Sequence, residues 1–152
     1  MAATRYKIPV SVLVVIHTED LQVLLLERAD APGFWQSVTG SQNEGETLLQ
    51  TAQREVREET GLEADDFALT DWHQQNCYEI YARWRDRYAP GVTHNTEHVF
   101  SLQVPQPLPV KMAPREHAQY LWLPWQEAAA KVFSPSNAAA IRELPQRVAR
   151  PR

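Results

Sequence analysis

Glu55, Glu58 and Glu59 stand at i, i+3 and i+4, a spacing that gathers three carboxylates on one side of a helix. Like charges held that close repel unless something positive sits among them. Oxygen-only ligands favour a hard divalent cation, magnesium first and manganese as a substitute. A cation so placed can neutralise phosphate oxygens and acidify a water, which is the chemistry of phosphoanhydride cleavage. The bland alternative is a solvated surface helix, because runs such as REVREE are common on exposed faces. That alternative does not explain Glu55 and Glu59 at i,i+4, where like charges cost stability.

The elements that must position these groups are legible nearby. Thr47 and Gln50 have the form of a capping box, and Gly45 suits the turn before it. No proline interrupts Thr47 to Thr60, and Gly61 stands where a left-handed residue ends a helix. At ~100° per residue, Leu48, Leu49, Ala52 and Val56 share an apolar arc, with the three glutamates on the arc beside it. The apolar arc is expected to sit on a sheet while the acidic arc faces a cleft. Arg54 falls outside the apolar arc, free to pair with a glutamate and hold it.

The segment from Gly40 to Leu62 resembles the Nudix box, G-x5-E-x7-R-E-U-x-E-E-x-G-U with U a bulky aliphatic. Gly40, Glu46, Arg54, Glu55, Val56, Glu58, Glu59, Gly61 and Leu62 fill all nine specified positions. The resemblance implies an α/β (α+β) fold, the Nudix α/β/α sandwich with a mixed β-sheet. It also implies hydrolysis of a nucleoside diphosphate linked to another group. Glu55, Glu58 and Glu59 would bind magnesium with help from the Gly40 carbonyl.

Composition agrees with one such domain over residues 1–152. The chain is 43% hydrophobic, enough for one sizeable core. A net charge of -4 argues against coating a nucleic acid, where a basic excess is expected. The single cysteine, Cys77, excludes an intrachain disulfide, fits a reducing cytoplasm, and reads as a small core filler. The start of the chain lacks a signal-peptide apolar stretch, and Val12 to Ile16 is too short to span a bilayer. A cytoplasmic protein with no membrane partner is the expectation, a monomer being favoured although the sequence does not disclose the oligomeric state.

Along the chain, Val10 to His17 and Val23 to Glu27 read as an antiparallel strand pair, and Trp35 to Thr39 as a short extended stretch. Phe67 to Gln75, Cys77 to Trp84, His98 to Val104 and Gln119 to Leu123 have strand character. Pro105 to Pro114 is a connector. Trp125 to Val132 reads as a helix, and Ser134-Pro135 opens another with serine as N-cap. The tail Arg147 to Arg152 is expected to fray.

A longer similarity joins nearly the whole chain to the branch of the Nudix family that hydrolyses pterin triphosphates in folate biosynthesis. It rests on KIPVSVLVVI, FWQSVTGS, RYAPGVTHNTEHVFSL and REHAQYLWL. That branch releases pyrophosphate from dihydroneopterin triphosphate and can hydrolyse dATP. The similarity implies Glu55, Glu59 and Glu116 as magnesium ligands, Lys7 and Arg28 as phosphate contacts, and Thr39 as a substrate contact. It further implies that Tyr78, Glu79, Ile80 and Tyr81 form an edge for a flat heterocycle, and that Ser134 is another polar contact. The ordinary alternatives are a surface lysine, a locally paired arginine, sheet-packing tyrosines, a helix cap and a solvated loop glutamate for Glu116. The general base is left among the box glutamates and Glu116. Ser41-Gln42-Asn43 and Ile8 depart from that branch's pattern, which bears on substrate preference. A general nucleoside triphosphate-cleaning enzyme and a non-catalytic nucleotide sensor are the competing functions, although a sensor would be expected to lose box glutamates.

His94 to His98 fits the zinc pattern H-x-x-E-H, which works only on a helix. Proline and glycine just before it and Val99-Phe100 after it predict a loop entering a strand, not a zinc site.

Overall fold

The computed structural model describes residues 6–113 and 115–148. Its frame is one mixed sheet of β1 (Val10–Thr18), β2 (Gln22–Arg28), β3 (Trp35–Gln36), β4 (Val38–Ser41), β5 (Ala68–Glu79), β6 (His94–Val104) and β7 (His117–Pro124). The main order is β3-β2-β1-β6-β5, with β4 also paired to β1 and β7 to β2. β1 runs parallel to β6 and antiparallel to β4, so the sheet is mixed.

β1 is apolar on both faces because helices cover both. Val12, Val14 and Ile16 join Ala52 and Val56 of α1 (Leu48–Thr60) in one core. Leu13 and Val15 point the other way, into a second core with α2 (Trp125–Lys131) and α3 (Pro135–Arg147). This alternation along one strand makes the α/β/α sandwich.

Helix α1 starts as its residues dictate. Thr47 accepts from the Gln50 amide while the Gln50 side chain accepts from the Thr47 amide, and Gly61 closes the helix at φ 77°. Leu49 departs from expectation, being 49% exposed. The buried face turns instead toward Thr51, Ala52, Glu55, Val56, Glu59 and Thr60, so two of the carboxylates go inside with the apolar residues.

The region after α1 also differs from the sequence reading. Two expected strands are a single strand, β5, with an irregularity between Asp71 and Gln75. There the Asp71 carboxylate accepts from the His73 amide, and His73 takes φ 54°. The strand stops at Glu79, and Ala82–Arg87 forms a 3-10 turn rather than more strand. Arg85 donates to the Ile80 carbonyl and pairs with Glu79, folding the chain back. Cys77 is exposed, not a core filler, because it lies on the outward face of this edge strand.

β6 begins at His94, earlier than expected, and the strand geometry removes the zinc reading. His94 and His98 point to one face and Glu97 to the other. Between β6 and β7 the proline-rich connector lies against the protein. Leu108, Val110 and Met112 pack on the α1 side, and the Trp122 indole donates to the Leu108 carbonyl.

α2 ends at Lys131, with Val132 already extended. Ser134 caps α3 and Pro135 opens it. Arg147, expected to fray, completes α3, paired with Glu143 and stacked over Trp72. Residues 149–152 of that tail lie outside the described part, as does Pro114.

Candidate active site

One large cleft, about 1680 Å³, opens at the end of the sheet where α1, β4, β5, β7 and the start of α3 meet. Its lining includes Arg54, Glu55, Glu58 and Glu59 together with Lys7, Arg28, Thr39, Gly40, Tyr78, Glu79, Ile80, Tyr81, Glu116 and Ser134. The tertiary structure thus brings the candidate metal, catalytic and substrate residues to the same opening, though not in equivalent settings.

The acidic end is built by α1 and β4. Glu55 is 8% exposed and Glu59 1%, whereas the Glu58 side chain is 49% exposed at the rim. Gly40 faces Glu55 so closely that an added Cβ would lie 2.0 Å from the Glu55 carboxyl carbon. Arg54 binds the group together. Its Nη1 donates to Glu55 at 2.9 Å and Glu58 at 3.1 Å, its Nε to Glu46 at 2.6 Å, and its Nη2 to the Ser41 carbonyl. Glu46 is held down to about 2 by Arg54 chiefly, then by the Asn43 amide and the Thr51 hydroxyl. That network fixes α1 against the loop leading out of β4.

Glu59 is in a different situation. Burial pushes its carboxyl well above the ordinary range, and the neighbouring Glu55 and Glu116 push it further. Burial raises Glu55 too, with Arg54 opposing. Oε1 of Glu59 has no hydrogen-bond partner among the described residues. An unpartnered buried oxygen costs about 1–3 kcal/mol, a charged one more. No three acidic, histidine or cysteine side chains among the described residues are drawn into a finished metal cage. The donor set nevertheless fits a hard cation: paired buried carboxylates, one orphaned oxygen, and a glycine that leaves them room.

Positive groups stand opposite. Arg28 is bidentate on Asp30, at 2.8 and 2.9 Å, and its guanidinium lies 4.4 Å over the Trp84 ring. Asp30 also receives Arg87 at 3.0 Å, so one carboxylate clamps two arginines at the cleft. Lys7 is tied by its backbone to Arg87, and cleft burial followed by Arg87 lowers its ammonium from the usual value. Glu116 is exposed on the loop before β7. Thr39 spends its hydroxyl on the Val12 carbonyl at 2.9 Å, leaving no free hydroxyl proton for a ligand.

The far wall is polar and aromatic. The Tyr78 hydroxyl accepts from Asn95 at 3.1 Å, and burial lifts its phenol to about 12. Tyr81 is 40% exposed and packs with Trp84 and Phe133. Ile80 is buried, and Glu79 is turned toward Arg85. Ser134 acts as the α3 cap, accepting from Asn137, and touches Ser136.

Some cleft residues were not visible in the sequence. His117 is 5% exposed, with Nε2 3.7 Å from Glu59, and only the pairing of β7 with β2 brings it there. Burial and then Arg28 press its imidazole down to about 4, so it is neutral near pH 7. Asn95 and Glu97 also line the wall. Both lie in the H-x-x-E-H stretch, whose sequence reads as a loop entering a strand, and only the strand geometry of β6 turns them inward.

The sequence profile of the NUDIX domain matches residues 7–144. This chain belongs to the Nudix family. Nudix hydrolases generally use divalent metals, in keeping with the carboxylates of α1. This Nudix chain is 48% identical over 142 residues to the dihydroneopterin triphosphate diphosphatase of Escherichia coli K12, covering 91% of this chain and 93% of that one. It is 41% identical to the Haemophilus influenzae protein of the same name, covering 91% and 89%. The solved E. coli dihydroneopterin triphosphate pyrophosphohydrolase superposes with a TM-score of 0.86 at 47% identity, covering 92% of this chain and 97% of that one. No described helix is long and apolar enough to cross a membrane.

Proposed function

We propose that this protein is a magnesium-dependent pyrophosphohydrolase that converts dihydroneopterin triphosphate to dihydroneopterin monophosphate and pyrophosphate, a step of folate biosynthesis, with dATP as a secondary substrate. The observation that carries the reading is the 48% identity to a protein of that name over 91% of the chain. The cleft supports it, being acidic at one end and aromatic and polar at the other, as a substrate with a phosphate chain and a flat ring requires.

A divalent cation held by Glu55, Glu58, Glu59 and Glu116 with the Gly40 carbonyl would neutralise phosphate oxygens and lower the pKa of an attacking water. Lys7 and Arg28 meet the remaining phosphate charge, Arg28 pre-positioned by Asp30 and Trp84. Arg54 keeps Glu55 and Glu58 aimed into the cleft. Water attacks an internal phosphorus, its proton passes to a carboxylate of the cluster, and the bridging P–O bond breaks to release pyrophosphate. Tyr78 and Tyr81 with the Glu79-Ile80 edge seat the heterocycle, Thr39 lines the approach beside Gly40, and Ser134 borders the ring end.

The test is a comparison of kcat/KM on dihydroneopterin triphosphate and the eight common nucleoside triphosphates, with products separated by chromatography. The expected result is a preference for the pterin and one pyrophosphate per turnover. A purine nucleotide preferred by a wide margin would replace this reading with general nucleotide cleaning.

A further inference from the structure

The face of the sheet that turns toward α3 carries a row of polar side chains where strands of this burial normally carry apolar ones. Ser11 of β1 and Asn76 of β5 are the registered neighbours of Glu97 on either side, and Tyr78 is the neighbour of Asn95. Asn95 and Glu97 are both inward-facing, 1% and 4% exposed, and both line the cleft.

Each of these two residues is held so that one oxygen is left over. The Asn95 amide nitrogen donates to Ser11 at 2.8 Å and to Tyr78 at 3.1 Å, which fixes the amide's orientation. Its Oδ1 is buried with no partner. Ser136 donates to Glu97 Oε1 at 2.8 Å, and Asn76 approaches the same oxygen at 3.5 Å. Among the described residues Oε2 receives no hydrogen bond, and no cation pairs with Glu97. Burial raises the Glu97 carboxyl from its ordinary value, and only Ser136 and Asn76 oppose this. For stability alone an apolar side chain would cost less here, since buried polar groups are unfavourable when incompletely satisfied.

We propose that Glu97 and Asn95 are the specificity-determining pair for the heterocycle, accepting hydrogen bonds from the ring N–H and exocyclic amino group of a 2-amino-4-oxo pyrimidine edge. The wall offers two free acceptor oxygens, while both N–H groups of Asn95 and the Ser136 hydroxyl donate within the protein. A ring presenting adjacent N–H groups matches it. Adenine, which sets an acceptor nitrogen beside its amino group, matches only in part. β6 lies two strands from β4, about 10 Å at the usual strand spacing, which leaves a phosphate chain room to reach the Gly40 end. This inference rests on the proposed pterin reading and names the groups that would enforce it.

Glu97→Gln replaces an acceptor with a donor at nearly constant shape. The ratio of kcat/KM for dihydroneopterin triphosphate to that for dATP is expected to fall about 10- to 100-fold, mainly through KM, with an unchanged melting profile. An unchanged ratio overturns the proposal, whether both activities hold or both fall together. If the variant does not fold, the wild-type protein decides, through the intrinsic fluorescence of neopterin and 3-methylneopterin. Neopterin should bind at least 10-fold more tightly, and equal binding overturns the proposal. Failure of the wild-type enzyme to hydrolyse dihydroneopterin triphosphate would instead defeat the function proposed above. The methylation effect on ring binding would still be readable.

Discussion

Glu59 and His117 face each other 3.7 Å apart, Oε1 to Nε2, at 1% and 5% exposure. Neither the Glu59 Oε1 nor the His117 Nδ1 has a hydrogen-bond partner among the described residues. The imidazole is held neutral by burial, so it does not neutralise the carboxylate. Glu59 is thus a buried acid without a built-in counter-charge, whereas Glu55 has Arg54. This asymmetry makes Glu59 the group most dependent on an added cation.

Glu59→Gln should therefore lower turnover by about 10²- to 10⁴-fold while leaving the metal-free fold at least as stable as wild type. Steady-state kinetics with magnesium, beside metal-free thermal melts, would check both. Near-normal turnover would remove Glu59 from the reaction.

Gly40→Ala places a methyl group 2.0 Å from the Glu55 carboxyl carbon. Either Glu55 swings away or β4 shifts from β1. Overpacking of this kind costs about 1–3 kcal/mol. Chemical denaturation should show that loss, and calorimetric titration with manganese should show weakened binding. Wild-type metal affinity in the variant would mean that the close approach has no bearing on the site.

The pH dependence of stability carries a signature of Glu46. Its folded carboxyl is held down to about 2, below the ordinary carboxylate value. A lowered acid stabilises the fold above its unfolded pKa and loses that contribution as pH falls toward the folded value. Glu46→Gln should cost about 1–3 kcal/mol at pH 7, and the gap to wild type should narrow steadily below about pH 4.5. Denaturant titrations at pH 7, 5 and 3.5 would measure it. A gap that widens in acid would contradict the Arg54–Glu46 pairing.

Glu116→Gln tests whether an exposed loop carboxylate participates. It borders the cleft, and its charge reaches both Glu59 and Lys7. Turnover should fall at least 10-fold with unchanged melting, because an exposed side chain contributes little to the fold. A silent substitution would return Glu116 to solvent.

Helix α1 and its chemistry were legible because they are local. A capping box, an unbroken run of helix formers and a terminal glycine act over three or four residues, and the spacing of the glutamates is set by the helix itself. The Ser134-Pro135 start of α3 was readable for the same reason. Local pattern misjudged Leu49, since which arc of a helix meets the sheet depends on what the sheet offers. It also misjudged Cys77, which an edge strand leaves exposed, and the segment after Glu79, which Arg85 folds back into a 3-10 turn. The fold alone decided the rest. Pairing of β7 with β2 carries His117 from far along the chain to Glu59, and the parallel pairing of β1 with β6 sets Ser11 beside Glu97. Those contacts join residues distant in sequence, where no local spacing rule operates and only burial of two opposed apolar faces selects the register.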